Sequence, residues 1–118
     1  MVGFAQTLKR PVWVASGSMV DGIRQFDPPV EYRWSWRGLS SGAELVAFGP
    51  SYMDYRKGTA PNKDVGNIKR LDKVWMDLTP ADPNDPLASD ADFYVSAVEK
   101  GAGGVATITF KRLSADGD

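Results

Sequence analysis

The chain has 118 residues, 42% of them hydrophobic and 25% charged, with a formal net charge of -1. That balance suits one globular domain and excludes a disordered chain, or one drawn by its global field to nucleic acid or an acidic membrane. Cysteine and histidine are both absent, which excludes disulfides, thiolate chemistry, and the commonest general base and metal ligand.

The first residues, MVGFAQTLKRPVWV, lack the charged-then-apolar layout of a signal segment. No run approaches the ~18 apolar residues of a membrane span. The expectation is a protein made and used in the cytoplasm, or in something assembled there.

The 12 glycines and 8 prolines punctuate the chain into short runs, which favours an all-β fold. The first β-prone run is 7–15, around Val12, Trp13 and Val14, with Pro11 suggesting an edge strand or bulge. The segment SGSMVDG reads as a turn or hairpin tip. Residues 30–37, VEYRWSWR, alternate strictly, with Val30, Tyr32, Trp34 and Trp36 on one side of an extended chain. Residues 43–48 read as a strand or one helical turn, and 51–56 alternate weakly.

Residues 57–70, KGTAPNKDVGNIKR, read as a long flexible loop, a kind of connection that is often functional. A strand is expected over 73–78, a second loop rich in Pro and Asp over 79–92, a strand over 93–98, a glycine turn at 101–104, and a last strand over 105–113. The tail 114–118 reads as frayed. Together these imply one domain over 1–118. Its fold is expected to be a small closed β-barrel or sandwich of about six strands, with one or two long inserted loops.

Tyr32, Trp34 and Trp36 pose the main alternative. They form either a stacking face for sugars or bases, or the packed wall of a small core, where each ring buries about 150–250 Å². Burial is the favoured outcome, with Trp75 and Phe93 joining the core. The opposite face of the same strand carries Arg33 and Arg37, suited to phosphates or a partner's carboxylates. In the basic loop, Lys57, Lys63, Lys69 and Arg70 oppose one acid, Asp64, and could touch DNA phosphates or a neighbouring subunit. Asp77, Asp82, Asp85, Asp90 and Asp92 lie close in sequence without the spacing of a calcium loop, so turn-forming roles are expected there. Asp82, Asp85, Asp90 and Asp92 are candidates for docking a sister subunit. No catalytic signature appears: GAGG at 101–104 lacks the following Lys-Ser/Thr of a phosphate loop. No enzyme activity, metal or cofactor is expected.

Three pieces in order, IKRLDKVWMDL, DFYVSAVEKG and ATITFKR, carry a family likeness. The pattern is Leu71-Asp72-Lys73-Val74, then Phe93-Tyr94-Val95 with Val98, then Ile108 to Arg112. It resembles the head-closure, or stopper, proteins of long-tailed bacteriophages, over roughly residues 44–113. Residues 1–29 have no assigned counterpart. The resemblance implies a structural virion protein of the head-tail neck, assembled in the host cytoplasm. Its partners would be copies of itself in a ring of six or twelve, a portal or adaptor ring above, and a tail terminator or tail tube below. The loop 57–70 would face the channel and contact packaged DNA without reading sequence; no membrane partner is implied. Other neck roles, such as a tail terminator, and a carbohydrate- or ligand-binding β module are the alternatives.

Overall fold

The structure, a computed structural model, describes residues 9–38 and 54–113. Eight strands are present there: β1 (Arg10–Ala15), β2 (Gly17–Val20), β3 (Ile23–Phe26), β4 (Val30–Gly38), β5 (Tyr55–Pro61), β6 (Lys73–Trp75), β7 (Phe93–Lys100) and β8 (Val105–Arg112). Six of them close into an antiparallel barrel in the order β1-β4-β5-β8-β7-β6. Closure removes the exposed sheet edges that invite aggregation. The remaining two, β2 and β3, pair only with each other. No helix among the described residues is long and apolar enough to cross a membrane. The readings made for 43–48 and for the tail 114–118 lie outside the described residues.

The period of two in the sequence sorts side chains into the barrel and out of it. Val12 and Val14 of β1, Trp34 of β4, Ala60 of β5, Val74 of β6, Phe93 and Val95 of β7, and Ala106, Ile108 and Phe110 of β8 form one buried cluster. A barrel of so few strands leaves an interior that side chains fill completely. The filling is tight at Gly58, where a Cβ would approach the Phe110 ring to 2.9 Å. A second, smaller cluster lies on the outer wall, where Trp75 and Ala15 pack with Ala91, Trp13, Phe26 and Leu113.

Four local readings need correction. Pro11 lies in a barrel strand rather than at a sheet edge, opposite Arg33 of β4. It is tolerated because β6 pairs with β1 only from Trp13 to Ala15, so nothing asks Pro11 for a donor on that side. The segment SGSMVDG is more than a turn, since it supplies β2 and most of a two-stranded arm. The strand expected over 73–78 ends at Trp75, because the Asp92 carboxylate takes the backbone N–H groups of Met76, Asp77 and Leu78 at 2.9, 2.9 and 3.2 Å.

The largest correction concerns 57–70, which is not a flexible loop. Its first five residues belong to β5, and a short 3-10 turn, Asn62–Asp64, follows. Val65 and Ile68 then plug one end of the barrel, at 2% and 6% exposure. Gly, Pro and Lys dominate the composition, but two apolar residues three apart were enough to anchor the segment.

Gly58→Val is expected to destabilise the fold by about 1–3 kcal/mol through overpacking against Phe110. Chemical denaturation followed by tryptophan emission measures it. The native emission should be blue-shifted, because Trp34 and Trp75 are both 1% exposed.

Candidate assembly surfaces

The aromatic strand is mostly core. Trp34 is buried, stacks on Tyr32 with ring centroids 4.7 Å apart, and meets Phe110 at 6.4 Å. Its Nε1–H donates to the Asp64 carboxylate at 3.1 Å, tying the barrel interior to the plug segment. Tyr32 is half-buried, and burial, with Asp64 and Asp72 nearby, raises its phenol pKa above the usual value. Trp36 is also half-buried, at the opposite end of the barrel. Trp75 and Phe93 are buried as expected, although Trp75 packs on the outer wall rather than in the interior. Trp34, as part of the core, is not available to stack on a sugar or a base.

The two ends of the barrel differ in construction. Strands β1, β5 and β7 begin at one end and β4, β6 and β8 finish there, so the segment 76–92 leaves and returns at this end. Inward-pointing arginines close that end. The guanidinium of Arg10 lies 3.5 Å from the Trp36 ring centre, and that of Arg56 lies 4.6 Å from Trp36 and 4.5 Å from Phe93. Arg112 caps Phe93 at 4.7 Å. Stacked guanidiniums shield the rings while keeping their charge in water. Arg56 also forms a two-pronged pair with Asp77, both contacts 2.9 Å, and Arg112 stands 3.8 Å from the same carboxylate. The Arg56 hydrogen bonds hold the Asp77 carboxyl below the usual carboxylate range.

A buried carboxylate organises the other end. Asp72 is 0% exposed and accepts the backbone N–H groups of Gly17 at 2.9 Å and Lys69 at 2.8 Å. Arg24 of β3 approaches it at 3.7 Å and donates to the Arg70 carbonyl at 3.1 Å. A single side chain thus ties the root of the β2/β3 arm, the plug segment and the entry to β6.

That arm continues the β1/β4 pair beyond the barrel. Its tip is Asp21-Gly22, with φ of 52° and 78°. Positive φ at both central positions marks the turn that matches the natural twist of a hairpin. Met19, Val20 and Ile23 near the tip are 63%, 42% and 65% exposed. Val20 pairs with Ile23 and Met19 with Arg24, so successive residues place apolar side chains on both faces. Leu71, next to the Arg70 carbonyl that holds Arg24, is 42% exposed and adopts a left-handed φ of 76°. That conformation costs a branched residue about 1–3 kcal/mol.

The remaining residues singled out from sequence fall in several places. Lys57 stands on the outer wall of β5 opposite Arg37 of β4, and both have further contacts. Lys63, Lys69 and Arg70 are exposed around the plugged end, so the four basic residues do not act as one arm. Arg33 is exposed on the same outward face of β4 as Arg37. Asp82 and Asp85 accept the N–H groups of Asn84 and Leu87, each at 2.9 Å, as turn-forming acids do. Asp92 is committed to its three backbone donors, which makes it a poor subunit contact, while Asp90 is exposed. Among the described residues no group of acids is arranged to hold a metal ion.

No family model, curated protein or solved structure matches this chain. Three features escaped the sequence reading: the Asp72 staple, the arginine cap and the two-faced tip. For the tip a signal was present, in Asp-Gly flanked by Met19, Val20 and Ile23.

Asp72→Ala should cost about 2–4 kcal/mol by leaving two backbone donors without an acceptor, measured by denaturant unfolding. Asp77 sets a second expectation. Because its folded pKa is depressed, it stabilises the native state above the unfolded carboxylate range. That contribution disappears as pH falls through the folded value. Asp77 is 46% exposed, so the term is at most about 1 kcal/mol, and Asp77→Asn should flatten the acid limb of a stability-against-pH curve by that amount.

Proposed function

We propose that this protein is a structural subunit of a ring at the head-tail junction of a long-tailed bacteriophage, acting as a stopper or head-completion protein. The observation carrying the assembly part is the projecting β2/β3 arm, with exposed apolar side chains on both faces of its tip. A hairpin that merely rests on its own barrel needs one apolar face. Two such faces suit an arm that a neighbour surrounds, and exposed apolar clusters of this kind commonly mark contacts between proteins.

The neck location rests on the resemblance to stopper proteins. Its three matching pieces are not scattered in the fold: they form β6, β7 and β8, which are consecutive in the barrel. The acid of the first piece, Asp72, is the buried staple at the plugged end. In this reading the barrel builds the wall of the ring. The arm reaches a sister copy, and the arginine-capped end meets the portal or adaptor side or the tail side. Lys63, Lys69 and Arg70 are the candidates for contact with the phosphates of packaged DNA.

Two measurements test the reading. Sedimentation velocity on the purified chain should reveal species larger than the monomer as concentration rises. Ile23→Asp with Met19→Ser should abolish them without changing the far-ultraviolet circular dichroism. In infected cells, loss of the gene should leave filled heads that fail to join tails and lose their DNA; normal virions from such cells would refute the neck assignment.

A further inference from the structure

We infer that the arm tip, Val20 to Ile23, of one copy seats in a groove on the outer wall of the next copy, across β4, β5 and the start of β8. This rests on the assembly reading above and names the surface that receives the arm.

The groove has a volume of about 240 Å³ and is lined by Lys9, Ser35, Thr59, Pro61, Gly104 and Val105. Its apolar floor is the cross-strand pair Pro61 and Val105, and Val105 is 44% exposed. Gly104 has a φ of 80°, and a Cβ there would meet nothing within 4 Å, so the rim beside Val105 is open to an incoming chain. The groove has room for an aliphatic side chain.

One charge pair also favours this seating. The exposed Asp21 sits at the turn of the arm, and the exposed Lys9 stands at the edge of the groove. With Ile23 on the Pro61–Val105 floor, Asp21 is the first charge to follow it in. The placement then sets the symmetry. The arm roots on β1 and leans on the segment before β6, whereas the groove centres on β5, two strands away around a closed ring of six. Donor and acceptor therefore occupy different faces. Contact between different faces runs head to tail, and it makes a ring if the rotation closes.

The chain contains no cysteine, so introduced thiols are the only reactive ones. Ile23→Cys with Val105→Cys, treated with a short bismaleimide, should give a ladder extending beyond dimers on denaturing gels. Each single variant alone should give none. Dimers from Ile23→Cys alone would mean that arms meet each other, and a double variant that stops at dimers would mean reciprocal exchange; either result overturns the head-to-tail contact. Light scattering separates the two levels of the argument. Oligomers that form without any cross-link defeat the groove but leave the assembly reading standing. A chain that stays monomeric throughout defeats both. A charge swap adds an independent check: Asp21→Lys should weaken association by about three-fold, and adding Lys9→Asp should restore it.

Discussion

The burial of Trp34 is the constraint on which the rest of the structure depends. A six-stranded barrel has room inside for side chains and little else, and this indole occupies the middle of that space. It stacks on Tyr32, meets Phe110 and donates its N–H to Asp64. Its polar atom needed a partner, because an unmade hydrogen bond in the interior costs about 1–3 kcal/mol. Asp64 lies in the segment after β5, so the same contact that satisfies the indole also draws Val65 and Ile68 into the barrel mouth. Core filling and end closure are thus one event. A composition that reads as a loose basic loop becomes a cap.

This closure gives the barrel its polarity. One end is sealed by apolar side chains and held by Asp72, and the arm springs from it. The other is sealed by arginines lying on Trp36 and Phe93, and the segment 76–92 leaves from it. The two seals suit different surroundings. An apolar plug with a carboxylate staple keeps its charge buried and hydrogen-bonded. A guanidinium cap leaves charge in water, and Asp77 neutralises only part of it. On the proposed neck role, unlike partners above and below would meet ends of unlike character.

Much of the barrel was legible from period-two alternation. Residues 30–37 and 105–113 declared both their strands and their buried faces, but in 93–98 a bulge after Val95 reverses the alternation, so Val98 rather than Ala97 packs on the core. What stayed hidden depends on contacts distant in sequence. Asp92 ends β6 early by taking three N–H groups that the alternation of 73–78 assigned to a ladder. Asp72 looks like any acid in a turn until Gly17, 55 residues away, is brought against it. The arginine cap was concealed for a related reason. Arg10, Arg56 and Arg112 sit at inward positions, but a charge at a strand end reads as solvated surface until the rings beneath it are known. The acidic segment went the other way: its spacing argued for turns, and Asp82 and Asp85 make them.

The position of Asp72 also bears on the docking role proposed for the two-stranded hairpin. Such a hairpin is marginal in water by itself, and if it fluctuated it would pay for its own ordering whenever a partner bound. Here its first residue, Gly17, is fixed by the buried carboxylate, and Arg24 is fixed on the next strand by the same carboxylate and the Arg70 carbonyl. Phe26, opposite Gly17, packs against the outer cluster around Trp75. The root therefore shares the stability of the barrel, and only the tip, with Met19, Val20 and Ile23, extends free. Under the proposed docking role, the conformational cost would be met during folding rather than association. The strained backbone at Leu71 lies in the same tied region, where the surrounding hydrogen bonds hold a conformation that a lone turn would relax.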